Sequence, residues 1–105
     1  MIKVSILYRY RDNVRFDIDY YRDKHMTLAA KHFGTALKGW SIDKGVSGGE
    51  PGSNPAFVGA GHFLFDSVEA FQKVFEPVAH ELVADIPNYT DSTPQILISE
   101  VVTSV

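Results

Sequence analysis

Apolar and polar residues alternate along the first stretch of the chain, IKVSILYRY at 2–10. Ile2, Val4, Ile6 and Tyr8 share one side; Lys3, Ser5, Leu7 and Arg9 share the other. A period of two in a segment rich in β-branched and aromatic residues predicts a strand with one strongly apolar face. RDN then breaks the pattern. From residue 16 to 33 the period lengthens: Ile18, Tyr21, His25, Leu28 and His32 recur at steps of three and four. That spacing draws one stripe along an amphipathic helix. Asp17 is placed to cap its start, Asp19 lies in its first turn, and Gly34 is placed to end it. Both His25 and His32 are therefore expected on the face turned to the core.

The rest of the chain repeats the theme. LKGWSIDKGV, 37–46, reads as a second strand with Trp40, Ile42 and Val46 on one side. SGGEPGSNP, 47–55, is a loop, expected to be the most mobile interior segment. AFVGAGHFLFD, 56–66, is a third strand: Phe57, Phe63 and Phe65 share one parity, and Val58, Ala60, His62 and Leu64 the other. Gly59 and Gly61 leave space beside the aromatic rings or let another backbone approach. DSVEAFQKVFEPVAHELVAD, 66–85, is helical, with Asp66 and Glu69 at capping-box spacing and Pro77 placed to kink or split it. DIPNYTDSTP, 85–94, is a long turn, and QILISEVV, 95–102, is the last strand. The order β-α-β-β-α-β predicts an α+β, ferredoxin-like fold: one antiparallel four-stranded sheet with two helices on one face, in a single domain over 1–105. Apolar residues on both parities of the last two strands leave the uncovered sheet face too apolar for water, which points to a homodimer.

Composition narrows the chemistry. The 105 residues carry a formal charge of −3 and no basic run, so nothing favours nucleic acid as a partner. The absence of cysteine excludes disulfides, thiolate nucleophiles and Cys-based metal sites. The apolar start is too short for a signal peptide, and no run approaches a membrane span, so a soluble cytoplasmic protein without a membrane partner is expected. Four scattered histidines show no zinc spacing, and no phosphate-cradling or dinucleotide glycine pattern is present, so neither a metal nor a cofactor is expected.

His25 is the sharpest chemical candidate. An imidazole on an apolar stripe is partly desolvated, which lowers its pKa and keeps it neutral and able to take a proton. A core histidine hydrogen-bonded to backbone or tyrosine would share this placement. His32, near the helix end, reads as structural, and His80 as surface or hinge. Tyr8, Tyr21 and Trp40 are suited to line a pocket for a flat organic ligand, or to form core. His62 is open between the pocket and the dimer surface. Asp85 and Asn88 read as turn residues, with Tyr89 fastening that turn to the body.

Three segments, YYRDKHMTLAAKHFG, FDSVEAFQKVF and ELVADIPNYTDSTPQILISEV, occur in an order that resembles the EthD family of small dimeric α+β-barrel proteins. The resemblance implies a homodimer whose sheets pack into a barrel, and a small-molecule pocket between sheet and helices. It also implies kinship with muconolactone-type isomerases, polyketide cyclases and cofactor-free monooxygenases. In the isomerases and cyclases a helix-one histidine is an acid or base, and His25 stands at the matching Lys-His position. Thr27 stands where that motif often has proline. The implied function is binding of a small apolar or aromatic molecule, with cofactor-independent isomerase or cyclase chemistry at His25 in a catabolic or polyketide-type pathway. Tyr8, Tyr21, Trp40 and His62 would shape the site. The rivals are a non-catalytic accessory protein of a degradation pathway and a haem-binding barrel.

Overall fold

The computed structural model describes residues 1–104. Four strands, β1 (Ile2–Arg9), β2 (Gly39–Lys44), β3 (Phe57–Phe65) and β4 (Pro94–Glu100), form one antiparallel sheet in the order β2-β3-β1-β4. Two helical segments, α1 (residues 18–33) and α2 (residues 68–85), pack on one face. This is the α+β ferredoxin-like fold that the alternation of periods predicts.

The register of β1 decides what faces the helices. Val4 lies opposite Phe63 and Ile98, Ile6 opposite Gly61 and Ile96, and Tyr8 opposite Gly59 and Pro94. Val4, Tyr8, Phe63 and Phe65 carry the core, with Val4, Tyr8 and Phe65 fully buried, while Ile96 and Ile98 on the edge strand β4 stay exposed. The two glycines of β3 make room for rings. A Cβ at Gly59 would meet the Phe16 ring, and one at Gly61 would meet the Tyr21 hydroxyl and the Met26 methyl.

Helix α1 departs from a uniform α-helix. It runs as α over Ile18–Tyr20, as a π turn over Tyr21–His25 and again as α over Met26–Phe33. A π turn closes with a bond five residues back, here from Met26 N–H to Tyr21 O, and takes up one extra residue. The buried positions are Tyr21 and His25, then Met26, Ala29 and Phe33. The apolar stripe thus slips by one residue at His25. This corrects the expectation for His32: it leaves the core face and pairs its Nε2 with Glu81 Oε2 at 3.2 Å. Asp17 caps the helix as expected, accepting from Tyr20 N–H at 3.0 Å, and Gly34 ends it at φ 58°.

Helix α2 is capped by Ser67, whose hydroxyl accepts from Ala70 N–H at 3.1 Å, and not by Asp66. Strand β3 ends at Phe65, so the helix starts one residue later than the Asp66–Glu69 spacing suggests. Pro77 splits α2 with a 3₁₀ turn, Glu76–Val78, because it has no N–H to continue the ladder. A second 3₁₀ turn, Ile86–Asn88, follows.

The open sheet face is less apolar than its parities suggest. Leu7, Leu64 and Leu97 lie there, but Ser5, His62 and Asp43 form a hydrogen-bonded line across its middle.

Adding a methyl at Gly61 drives into the Tyr21 hydroxyl against the sheet. Gly61→Ala is expected to destabilise the fold by about 1–3 kcal/mol, the usual cost of overpacking. Gly49→Ala, where a Cβ meets open space, is the control. Chemical denaturation of the two variants checks this.

Candidate functional site

The slip in α1 has a chemical result. It holds His25 and Met26 inward together, and His25 reaches the end of α2. His25 Nδ1 lies 2.9 Å from Asp85 Oδ2. The other carboxylate oxygen, Oδ1, accepts from the Tyr20 hydroxyl at 2.7 Å and from Asn88 Nδ2 at 2.9 Å. An ionised carboxylate only accepts, so the imidazole proton facing it is the Nδ1–H, and in the neutral ring Nε2 keeps its lone pair.

Burial is the largest influence on Asp85 and acts to raise its pKa. The hydrogen bonds from Asn88, Tyr20 and His25 outweigh it and hold the carboxyl below the usual range. Burial also dominates at His25, where it pulls the imidazole below its ordinary value against the opposing pull of Asp85. The pair at neutral pH is a carboxylate beside a neutral imidazole.

His25 packs on tyrosines. Its ring stacks on Tyr21 at 5.6 Å between centroids and lies 4.7 Å from Tyr89. Tyr8 and Tyr89 share a hydrogen bond between hydroxyls at 2.6 Å, and the Tyr21 hydroxyl adjoins that of Tyr8. Burial raises all three phenols, which stay protonated at every physiological pH.

Beside this group lies a cavity of about 110 Å³ between the sheet and the helices. Tyr8, Tyr21 and His25 line one part, and Phe33, Phe63 and Phe71 another. Val83 and Ile96, both exposed, stand at its rim. A space of this size is far too small for a porphyrin. Among the described residues no three His, Asp or Glu side chains are grouped to share a metal ion.

Of the residues singled out in the sequence, the structure brings His25, Tyr8 and Tyr21 together at the cavity and leaves Trp40 and His62 apart from it. Trp40 sits on the helix side of the sheet, opposite Phe63, but β2 is an edge strand, and Trp40 is 43% exposed. His62 is on the opposite face, with Nδ1 2.8 Å from Ser5 Oγ and Nε2 2.9 Å from Asp43 Oδ2. Asp85 and Tyr89 join the site from the segment read as a turn. Their one sequence signal is that a carboxylate and a tyrosine flank IPN in a loop that must dock somewhere.

The family model of the EthD domain matches residues 15–93. An EthD-like protein from Ralstonia eutropha JMP134 is 39% identical, with a TM-score of 0.95 over 99% of this chain and 94% of that one. A dimeric ferredoxin-like protein from Thermobifida fusca is 18% identical, with a TM-score of 0.55 over 93% and 88%. SnoaB, a cofactor-independent oxygenase from Streptomyces nogalater, is 9% identical, with a TM-score of 0.60 over 99% and 94%. The last two are likenesses of fold alone. No functionally curated protein matches the sequence.

The His25–Asp85 pair makes stability depend on pH with a definite sign. His25 titrates lower in the folded protein than its unfolded value of about 6.5, so below that pH the unfolded chain binds more protons. Stability is expected to be full above about pH 6.5 and to fall as the pH drops through the lowered native value. A second decline, as Asp85 protonates, begins below about pH 4. Asp85→Asn removes the charge that props up the imidazole, so the His25 pKa should move further down. NMR titration of the His25 ring measures both; a rise in the variant contradicts the assigned pairing.

Proposed function

The chain belongs to the EthD family, and on that footing we propose that it binds a small apolar or aromatic molecule and moves a proton on it without a cofactor, as an isomerase or cyclase. The observation that carries this reading is a carboxylate-oriented, neutral imidazole beside an apolar cavity. Such an imidazole is a base that operates near neutral pH. In the reaction that fits, His25 Nε2 removes a proton from carbon next to a carbonyl. The C–H electron pair becomes a carbon–carbon double bond, and the carbonyl pair moves onto oxygen. Where the enolate is conjugated with a further double bond, the protonated His25 returns the proton at the far carbon; where the molecule holds a second carbonyl, the enolate carbon attacks it to close a ring, that carbonyl's π pair moves onto its oxygen, and the oxygen takes the proton from His25.

The tyrosines supply the second half. The Tyr8 and Tyr89 hydroxyls share one hydrogen bond, which uses one of their two protons, so an O–H of the group is spare. Tyr8 and Tyr21, which line the cavity, are the ones that can direct it at a developing oxyanion. Asp85 stabilises the imidazolium as it forms, without itself taking the proton.

The test is deuterium exchange at the α-carbon of a panel of ketones, followed by NMR. His25→Gln is expected to lower exchange by ~10²–10⁴-fold while circular dichroism stays native. A folded His25→Gln protein with undiminished exchange would falsify the catalytic role.

The working unit is proposed to be a homodimer joined through the open sheet face. Leu7, Leu64 and Leu97 surround a polar line whose two hydrogen bonds are both made within one chain, so a second copy can cover Ser5 and His62 and leave those bonds in place. Sedimentation at micromolar concentration is expected to give twice the chain mass. Replacing Leu97 with Lys should shift it towards the monomer. A wild-type monomer at that concentration contradicts the dimer.

A further inference from the structure

The lining of the His25 cavity says which molecules it takes. This inference rests on the small-molecule reading above and narrows it. None of the side chains around the cavity is a lysine, arginine, aspartate or glutamate, and none is an amide or aliphatic hydroxyl. Its side-chain polar atoms belong to His25, Tyr8 and Tyr21. Asp85, immediately behind His25, holds a negative charge against that end of the cavity.

An anionic ligand here would lose its hydration, find no cation, and face the Asp85 carboxylate. Such a burial is strongly unfavourable. A carbonyl oxygen, by contrast, needs one or two donors, which the phenols provide, and its apolar body replaces cavity surface. Size adds a second limit. An apolar cavity of ~150 Å³ holds a benzene molecule, and the space here is about 110 Å³. The enclosed part of a ligand is therefore no larger than a six-membered ring, and anything longer must leave past Val83 and Ile96 at the rim.

We propose that the cavity selects neutral, compact carbonyl compounds and rejects carboxylates of the same shape, because among the described residues no cationic side chain lines it and the Asp85 carboxylate stands behind His25. The selection follows from what is missing from the wall as much as from what is there. A cyclic ketone or an aryl ketone with its ring inside fits; an acid metabolite of equal size does not.

Benzamide and benzoate are nearly the same shape and differ in charge, which makes them the probe pair. Their dissociation constants at pH 8 are measured by calorimetry on the wild-type protein, and the His25 ring signals are followed by NMR. Benzamide is expected to bind at least about tenfold more tightly than benzoate and to shift the His25 resonances. Ala29→Leu, which fills the cavity, should weaken benzamide binding by about tenfold or more. Should that variant fail to fold, displacement of benzamide by cyclohexanone on the wild-type protein locates the site instead. Benzoate binding as tightly as benzamide, absence of benzamide binding, or binding that leaves the His25 signals unmoved would each overturn the proposal. Benzamide has no α-C–H, so its binding reports selection whether or not His25 is catalytic. Loss of proton exchange with selective binding intact would count against the catalytic reading alone.

Discussion

One carboxylate holds the site together. Asp85 accepts from Tyr20 and His25 on α1 and from Asn88 on its own turn. The two bonds from Tyr20 and His25 tie the start of α1 to the end of α2 across some sixty residues of chain. All three keep Asp85 ionised in a partly buried setting where burial alone would favour the neutral acid. With the carboxylate fixed, the tautomer of His25 is fixed, and so is the nitrogen left free for chemistry. Which ring nitrogen holds the proton decides whether His25 can accept one.

Aromatic packing gives that carboxylate a frame. One group of rings, Tyr8, Phe16, Tyr21 and Tyr89, meets mostly edge to face at 5.0–5.8 Å. A second group, Phe33, Phe63, Phe65, Phe71 and Phe75, fills the other end of the helix–sheet layer. The cavity lies where the two groups meet, lined by members of both. Rigid rings cannot close over such a gap as aliphatic chains do, which is one physical reason for the space to persist. The same apolar wall lowers the basicity of His25, so cavity and base are tuned by one feature.

Much of the fold was legible because strands and helices differ in period. The alternation through Ile2, Val4, Ile6 and Tyr8 set the buried face of β1, and Gly59 and Gly61 announced close approach in β3. The stripe through Ile18, Tyr21 and His25 holds up to the point where the π turn intervenes. Beyond it a constant period sent His32 inward, because nothing in a single sequence marks where a helix takes up an extra residue. Asp85 was legible only as a turn residue: its partner is distant in sequence, and periodicity does not report such pairings. Trp40 misled for a related reason. Its parity is that of the core, but exposure at an edge strand depends on how far the helices extend, which alternation does not encode.

The π turn has a consequence for how this segment can change. An α-helix advances about 100° per residue, so in a continuous α-helix two adjacent residues cannot both face the core. Deleting one residue between Tyr21 and His25 would restore that continuous helix with both halves still facing the sheet, but with Met26 turned inward His25 would be carried off Asp85. Point changes leave the joint placement of His25 and Met26 intact; a change of length does not. Over evolutionary time the segment is therefore free to drift in composition but locked in its residue count, and a one-residue gap in a relative's first helix would mark a protein that has given up this pairing while keeping the fold.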